Sequence, residues 1–408
     1  MDATKLFRQV EKLEPEMIDT LMQLIRIPAI GPENNGEGEY TKAQVLTKIL
    51  TDMSFNKIEN FDAADSRVPS GKRPNIVAYF NDNKNTARIW IITHLDIVPA
   101  GEEDRWINTK PFEPILKDGR IYGRGSEDNG QSIVASIYAA KALNQLKIET
   151  KRKLALAFVS DEEQGSSMGI QHLINQGIFH KDDLILVPDS GTPEGNFIEV
   201  AEKSILWFKI ITVGKQTHGS LPDKGLNAHR IGMQVALAID TMLHAKYNLR
   251  NEYFSVPTST FEPTRKDKNV DAINVIPGED FSYFDCRILP EYSIEEVLVD
   301  INTIIEEFQK KTGATIKIEI LQKQVAPEVV DGNSAIAILL KKALKETRNI
   351  DAMIGGIGGG TCAAFFRKQG ISAVVWSTID EVAHQPNEYT KIQNMIEDAK
   401  VFALLAII

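Results

Sequence analysis

Strands that alternate with helices, each strand closing on a polar cluster, constrain this chain more than any other feature. The apolar run Arg88-Ile89-Trp90-Ile91-Ile92 ends in Thr93-His94-Leu95-Asp96. A β-branched and aromatic run of this length reads as a buried strand. Gly123-Arg124-Gly125-Ser126-Glu127-Asp128-Asn129-Gly130 then leads into a helix over 131–146. A strand over 153–159 runs into Ser160-Asp161-Glu162-Glu163, a helix covers 166–176, and a strand over 184–187 meets Asp189-Ser190-Gly191. This order describes an α/β sheet with ligands at the carboxyl ends of its strands. Such a sheet lets positions far apart in sequence converge on one site.

The texture changes near residue 199. A strand over 205–213, a helix over 227–247, extended segments near 253–261 and 272–288, a helix over 294–312 and a strand over 315–321 follow in turn. The order β-α-β-β-α-β matches a ferredoxin-like α+β unit, inserted over 199–323. The α/β texture then resumes with a helix over 335–348, the Gly run 355–360, a helix over 361–369, a strand over 373–377 and a last helix from 391. Residues 1–198 and 324–408 therefore read as one domain.

Lys+Arg 46 against Asp+Glu 56 gives a net charge of -10, which argues against a nucleic-acid surface. The two cysteines, Cys286 and Cys362, exclude a disulfide scaffold and favour a reduced, cytoplasmic setting. Met1-Asp2-Ala3-Thr4-Lys5 has no apolar core of signal-peptide type, and no run of apolar residues is long enough to span a membrane.

The candidate ligands, in order, are His94, Asp128, Glu162 or Glu163, Asp189 and His384. Oxygen and imidazole donors with no thiolate suit zinc, with cobalt or manganese as alternatives. Five protein ligands are too many for one catalytic zinc that keeps an open position. Two divalent ions sharing one carboxylate fit better. His94 and Asp96 lie two residues apart on a strand and point to the same side, where a carboxylate can orient an imidazole. Of the adjacent Glu162 and Glu163, one is expected to be a ligand and the other a general base. Alone, Asp161-Glu162-Glu163 would read as a solvated acidic turn.

Five features in the same order carry a resemblance. They are Thr93-His94-Leu95-Asp96, Gly123-Arg124-Gly125-x-x-Asp128-x-Gly130, Asp161-Glu162-Glu163-Gln164-Gly165, Pro188-Asp189-Ser190-Gly191 and Ala383-His384-Gln385-Pro386-Asn387-Glu388. Together they resemble the di-zinc aminoacylase/carboxypeptidase family of metallohydrolases. Its members include acetylornithine deacetylase, succinyl-diaminopimelate desuccinylase, glutamate carboxypeptidase and several dipeptidases. The resemblance implies a zinc-peptidase-like catalytic domain with a mixed central sheet flanked by helices, and an inserted lid that forms a homodimer.

By the same resemblance His94 and Asp189 bind one metal, Glu163 and His384 bind the other, and Asp128 bridges them. Asp96 would brace His94, and Glu162 would be the general base. His218, in Gly214-x-x-Thr217-His218-Gly219-Ser220-x-Pro222, would reach a partner subunit's site and stabilise the oxyanion. Asn274, Arg287, Gly360 and Thr361 match the substrate-binding positions, and an arginine fork suits a substrate carboxylate. Three positions depart from the pattern. Asn129 stands where many relatives carry Lys or Met, Glu127 adds a carboxylate beside the bridge, and Ser204 stands where Gly is common.

The expected activity is hydrolysis of an amide bond in a small peptide or amino-acid derivative, of dipeptidase or carboxypeptidase type. Asp189 leans towards a peptidase, because the family tends to place Asp there in peptidases and Glu in deacylases. The alternative is an N-acyl-amino-acid deacylase of acetylornithine or succinyl-diaminopimelate type. A third reading, a non-catalytic binding protein, has no need of a complete ligand set with Glu162.

Overall fold

The computed structural model describes residues 3–53, 55, 57–80, 87–327 and 329–408. The chain divides into two compact units, Met1–Val200 with Glu328–Ile354 and Thr361–Ile408, and Ala201–Pro327 with Gly355–Gly360.

The first unit is built on an eight-stranded mixed sheet. Its middle consists of four parallel neighbours: Lys153–Val159, Arg88–His94, Leu184–Thr192 and Ala373–Thr378. Antiparallel strands flank them, Ile76–Phe80 and Lys57–Asn60 on one side and Phe197–Glu202 on the other. Strands buried on both faces need continuous apolar runs, and from its second residue onward each of Lys153–Val159 and Arg88–His94 is buried throughout. One face packs Trp90, Ile92, Val187 and Val375 against Leu173 and Phe366 of the short helices Ile170–Asn175 and Ala363–Lys368. Helix Ser132–Gln145, buried on nearly every side, packs against helix Ile392–Leu405. Because four strands run parallel, their carboxyl ends share one edge; His94 ends one of them, Glu162, Glu163 and His384 follow others, Asp189 lies within the last residues of a third, and Asp128 belongs to none.

The second unit has four antiparallel strands in the order Thr260–Lys266, Glu279–Ile288, Ser204–Val213, Thr315–Gln324. Helices Ala228–Lys246 and Ile294–Thr312 supply the layer over it. This is the ferredoxin-like arrangement. Glu279–Ile288 alternates strictly between buried and more open residues, as one covered face requires. Asn227 and Ser293 cap the two helices through their side chains, and Gly313 at φ 74 ends the second.

Three differences from the sequence reading have local causes. The strand beginning at Leu184 runs on to Thr192, because Ser377 and Thr378 pair with Gly191 and Thr192 past an irregularity in register. Asp189 thus sits within a strand rather than in a turn. The Gly-rich segment contains a strand, Met353–Ile357, that joins the large sheet despite Gly355 and Gly356. Residues 355–360 group with the second unit, where Ile357 O accepts from Lys203 N and Gly358 O accepts from Arg287.

Candidate metal centre

His94 closes its strand with its ring buried, and the two ring nitrogens face different partners. Nδ1 lies 3.0 Å from the backbone carbonyl of Asp96 and 3.5 Å from its carboxylate. Nε2 lies 2.7 Å from Asp128 Oδ1 and 3.2 Å from Asp189 Oδ1. Asp128 reaches the other imidazole as well, with Oδ2 3.0 Å from His384 Nε2. Glu163 Oε1 lies 3.2 Å from that same nitrogen. Ligand atoms of His94, Asp128 and Glu163 lie within 4.8 Å of one another, and so do those of His94, Glu162 and Asp189.

Asp96 has a further job. Its two carboxylate oxygens accept the backbone N–H groups of Glu162 and Glu163, at 3.1 and 3.0 Å. It therefore ties the strand end carrying His94 to the turn carrying both glutamates, while its main-chain carbonyl is the nearer partner of the imidazole. Asp161 begins that turn in a left-handed conformation, φ 65, and its carboxylate holds Met168 N and Ser167 Oγ.

The electrostatics follow from carboxylates crowded into a buried space. Burial and the neighbouring Asp189 charge push the Glu162 carboxyl well above its usual range. Burial and the Asp128 charge push Glu163 up to about 7. Burial opposes a charge on His94, yet Asp128 and Asp189 more than offset it and raise its pKa well above the usual value. Hydrogen bonds to Asp128 and Glu163 raise His384 to about 10. The cluster sets four carboxylates, of Asp128, Glu162, Glu163 and Asp189, beside two imidazoles, a set of oxygen and nitrogen donors that suits divalent cations.

Several neighbours gave no sequence signal for a place in the site. Lys42 is buried and donates to the carbonyl of Leu95, between His94 and Asp96. Arg73, fully buried, pairs with Glu39 and reaches Asp161 at 3.5 Å. Asn129 donates to Asp189 Oδ1 and to Pro188 O, both at 2.9 Å, so its amide steadies the strand that carries Asp189. A lone lysine on an amphipathic helix reads as a solvated residue, and only the fold turns Lys42 inward.

His218, Asn274, Arg287 and Gly360 all lie in the second unit. His218 is exposed, with Nδ1 2.8 Å from Ser220 Oγ, and Asn274 O accepts from Gly219 N. The Arg287 guanidinium is engaged by Asp285 and by the carbonyl of Gly358. Thr361 lies in the first unit, where its hydroxyl accepts from Ala363 N at the start of a helix. Among the described residues no helix is long and apolar enough to cross a membrane.

Residues 90–407 match the peptidase family M20/M25/M40. An uncharacterized metallohydrolase of Methanocaldococcus jannaschii is 44% identical over 403 residues, covering 95% of this chain and 98% of the relative. A succinyl-diaminopimelate desuccinylase of Rickettsia felis is 28% identical over 389 residues, covering 93% and 96%. Human carnosine dipeptidase 1 shares the fold with a TM-score of 0.81 at 15% identity, over 100% of this chain and 98% of that one. A metallo-carboxypeptidase of Sulfolobus solfataricus does so with a TM-score of 0.72 at 18% identity, over 96% and 98%. The protein is a metal-dependent hydrolase acting on amide bonds. It belongs to peptidase family M20/M25/M40.

Proposed function

We propose that the protein hydrolyses the amide bond of a small peptide, as a dipeptidase or carboxypeptidase, with two divalent ions held by His94, Asp128, Glu163, Asp189 and His384. The observation that carries this reading is the convergence of these donors on Asp128, whose two oxygens face His94 and His384. When bound, the ions would supply Lewis acidity toward the amide carbonyl and toward water. Zinc is the expected metal, with cobalt or manganese as alternatives.

Glu162 then acts as the general base. Its carboxylate takes a proton from the attacking water. It returns that proton to the leaving amine. Asp96 fixes Glu162 through the backbone of the turn, so the base cannot drift relative to His94. His218 is proposed to stabilise the oxyanion, with Asn274, Arg287, Gly360 and Thr361 binding substrate. For Arg287 this requires exchanging Asp285 and Gly358 O for the substrate carboxylate. The inserted domain is proposed to hold a homodimer together, which sedimentation measures directly.

Glu162→Gln tests the central role. Metal content should persist while kcat falls by about 10²–10⁴; retained turnover would remove Glu162 from the mechanism. A deacylase is the second reading, favoured by relatives named desuccinylases. Dipeptides assayed beside N-acetyl and N-succinyl amino acids separate the two, and turnover of the acylated compounds alone would sink the peptidase reading.

A further inference from the structure

The loop that carries Asp128 and the loop that carries His384 grip one another through two buried carboxylates. Glu388 extends toward the first loop. Its Oε2 accepts from Arg124 at 2.7 Å and Gly125 N at 2.9 Å, and its Oε1 accepts from Glu127 N at 2.9 Å and Asp128 N at 3.1 Å. Glu127 extends the opposite way. Its Oε1 accepts from Asp380 N at 2.6 Å, and its Oε2 from Val382 N and Ala383 N at 2.7 and 3.0 Å. Glu127 is 4% exposed and Glu388 fully buried.

The second loop has reason to need such a grip. Glu381, His384 and Asn387 all adopt left-handed backbone, at φ 59, 62 and 63, which non-glycine residues rarely do. His384 itself is open to solvent, with its side chain 54% exposed, so packing does little to hold it. Three of the four amides just before it, those of Asp380, Val382 and Ala383, are instead fastened to one carboxylate. Although Glu127 directly precedes Asp128, both of its oxygens are committed to backbone donors rather than to the imidazoles.

We propose that Glu127 is the positioning residue for His384, fastening its loop to the Asp128 loop so that the two ligands keep one spacing. The inference rests on the two-ion reading above. It predicts that Glu127 governs the affinity of the ion held by His384 without touching that ion, and leaves the ion held by His94 and Asp189 alone. Partners that orient a ligand in this way typically change metal affinity by about 10–100-fold.

The test is zinc titration by calorimetry on the full chain after chelation, with E127Q beside H384A. The glutamine keeps the shape but replaces one acceptor oxygen with an N–H donor. Expected for E127Q is one ion at unchanged affinity and the other weakened by about 10–100-fold. Hydrogen exchange on the metal-free protein gives an independent readout: amides of Val382 and Ala383 should exchange faster, those of Gly125 and Asp128 as before. If E127Q does not fold, E127D retains the charge with a shorter reach and should weaken the same ion. H384A should lose that ion outright. Two ions retained at full affinity in H384A would overturn the metal reading and this inference with it. Loss in H384A with both affinities unchanged in E127Q or E127D would overturn the positioning role alone.

Discussion

Lys42 provides a quantitative check on the electrostatics of the centre. It is 5% exposed, and its ammonium donates to the carbonyl of Leu95 at 2.9 Å. Burial lowers its pKa from 10.5 to about 8, against the pull of Asp96, Glu39 and Glu388. At 1.36 kcal/mol per pH unit, that fall corresponds to about 3 kcal/mol. The sign is set by which state holds the proton. Between pH 8 and 10.5 the unfolded chain keeps Lys42 protonated while the folded chain has released it, so stability rises with pH across that window. Lys42→Met removes this dependence and leaves other ionisable groups in place. Denaturant titrations of the metal-stripped protein, run at steps from pH 7 to 10.5, give the difference between wild type and variant. At pH 7 the variant gains by losing a buried charge and loses about 1–3 kcal/mol by orphaning the Leu95 carbonyl. From there to pH 10.5 wild type should gain on the variant by about 3 kcal/mol. A difference that stays flat with pH would refute the claim that a charged lysine is buried behind His94.

Other perturbations have separate signatures. Arg73→Met leaves Glu39 and Asp161 buried without their guanidinium, and should destabilise the metal-free protein by about 3–5 kcal/mol in urea; a loss under 1 kcal/mol would contradict a buried ion pair. Gly191→Ala places a methyl group against the carbonyl of Ser377 and should spread the strands beside Asp189. A lower Tm with weakened zinc binding is expected, and wild-type values of both would show that the strands yield there without consequence. Chelation should lower Tm, since ions at 100 times their Kd contribute about 2.7 kcal/mol each. An unchanged Tm after verified metal loss would mean that no ion binds the folded state selectively.

The candidate ligands that the structure brings together were legible because strand ends mark them. His94, Glu162, Glu163 and Asp189 lie on or just past runs of buried apolar residues whose parallel pairing aligns their ends. The groups that hold those ligands in place were not legible. Glu127 stood out only as an extra charge, and its contacts are with amides more than 250 residues away. Arg73 and Lys42 make their decisive contacts across the fold, where no periodicity in their own segments points. The strand Met353–Ile357 escaped for a similar reason. Glycine pairs carry no preference for extended backbone, and the sheet edge imposes it.

The division of the first unit among three stretches of chain has a consequence for biosynthesis. The second unit is nearly continuous, and the four strands of its main sheet and its two long helices are all complete by Gln324. The first unit still lacks its strand Ala373–Thr378 and the helix Ile392–Leu405 at that point. At about 5–20 residues per second, His384 leaves the ribosome roughly 15–60 s after His94. Chains truncated near residue 330 and released from the ribosome should therefore yield a protease-resistant fragment from the second unit and none from the first. The inserted domain would be finished while the centre on either side of it in sequence still waits for His384.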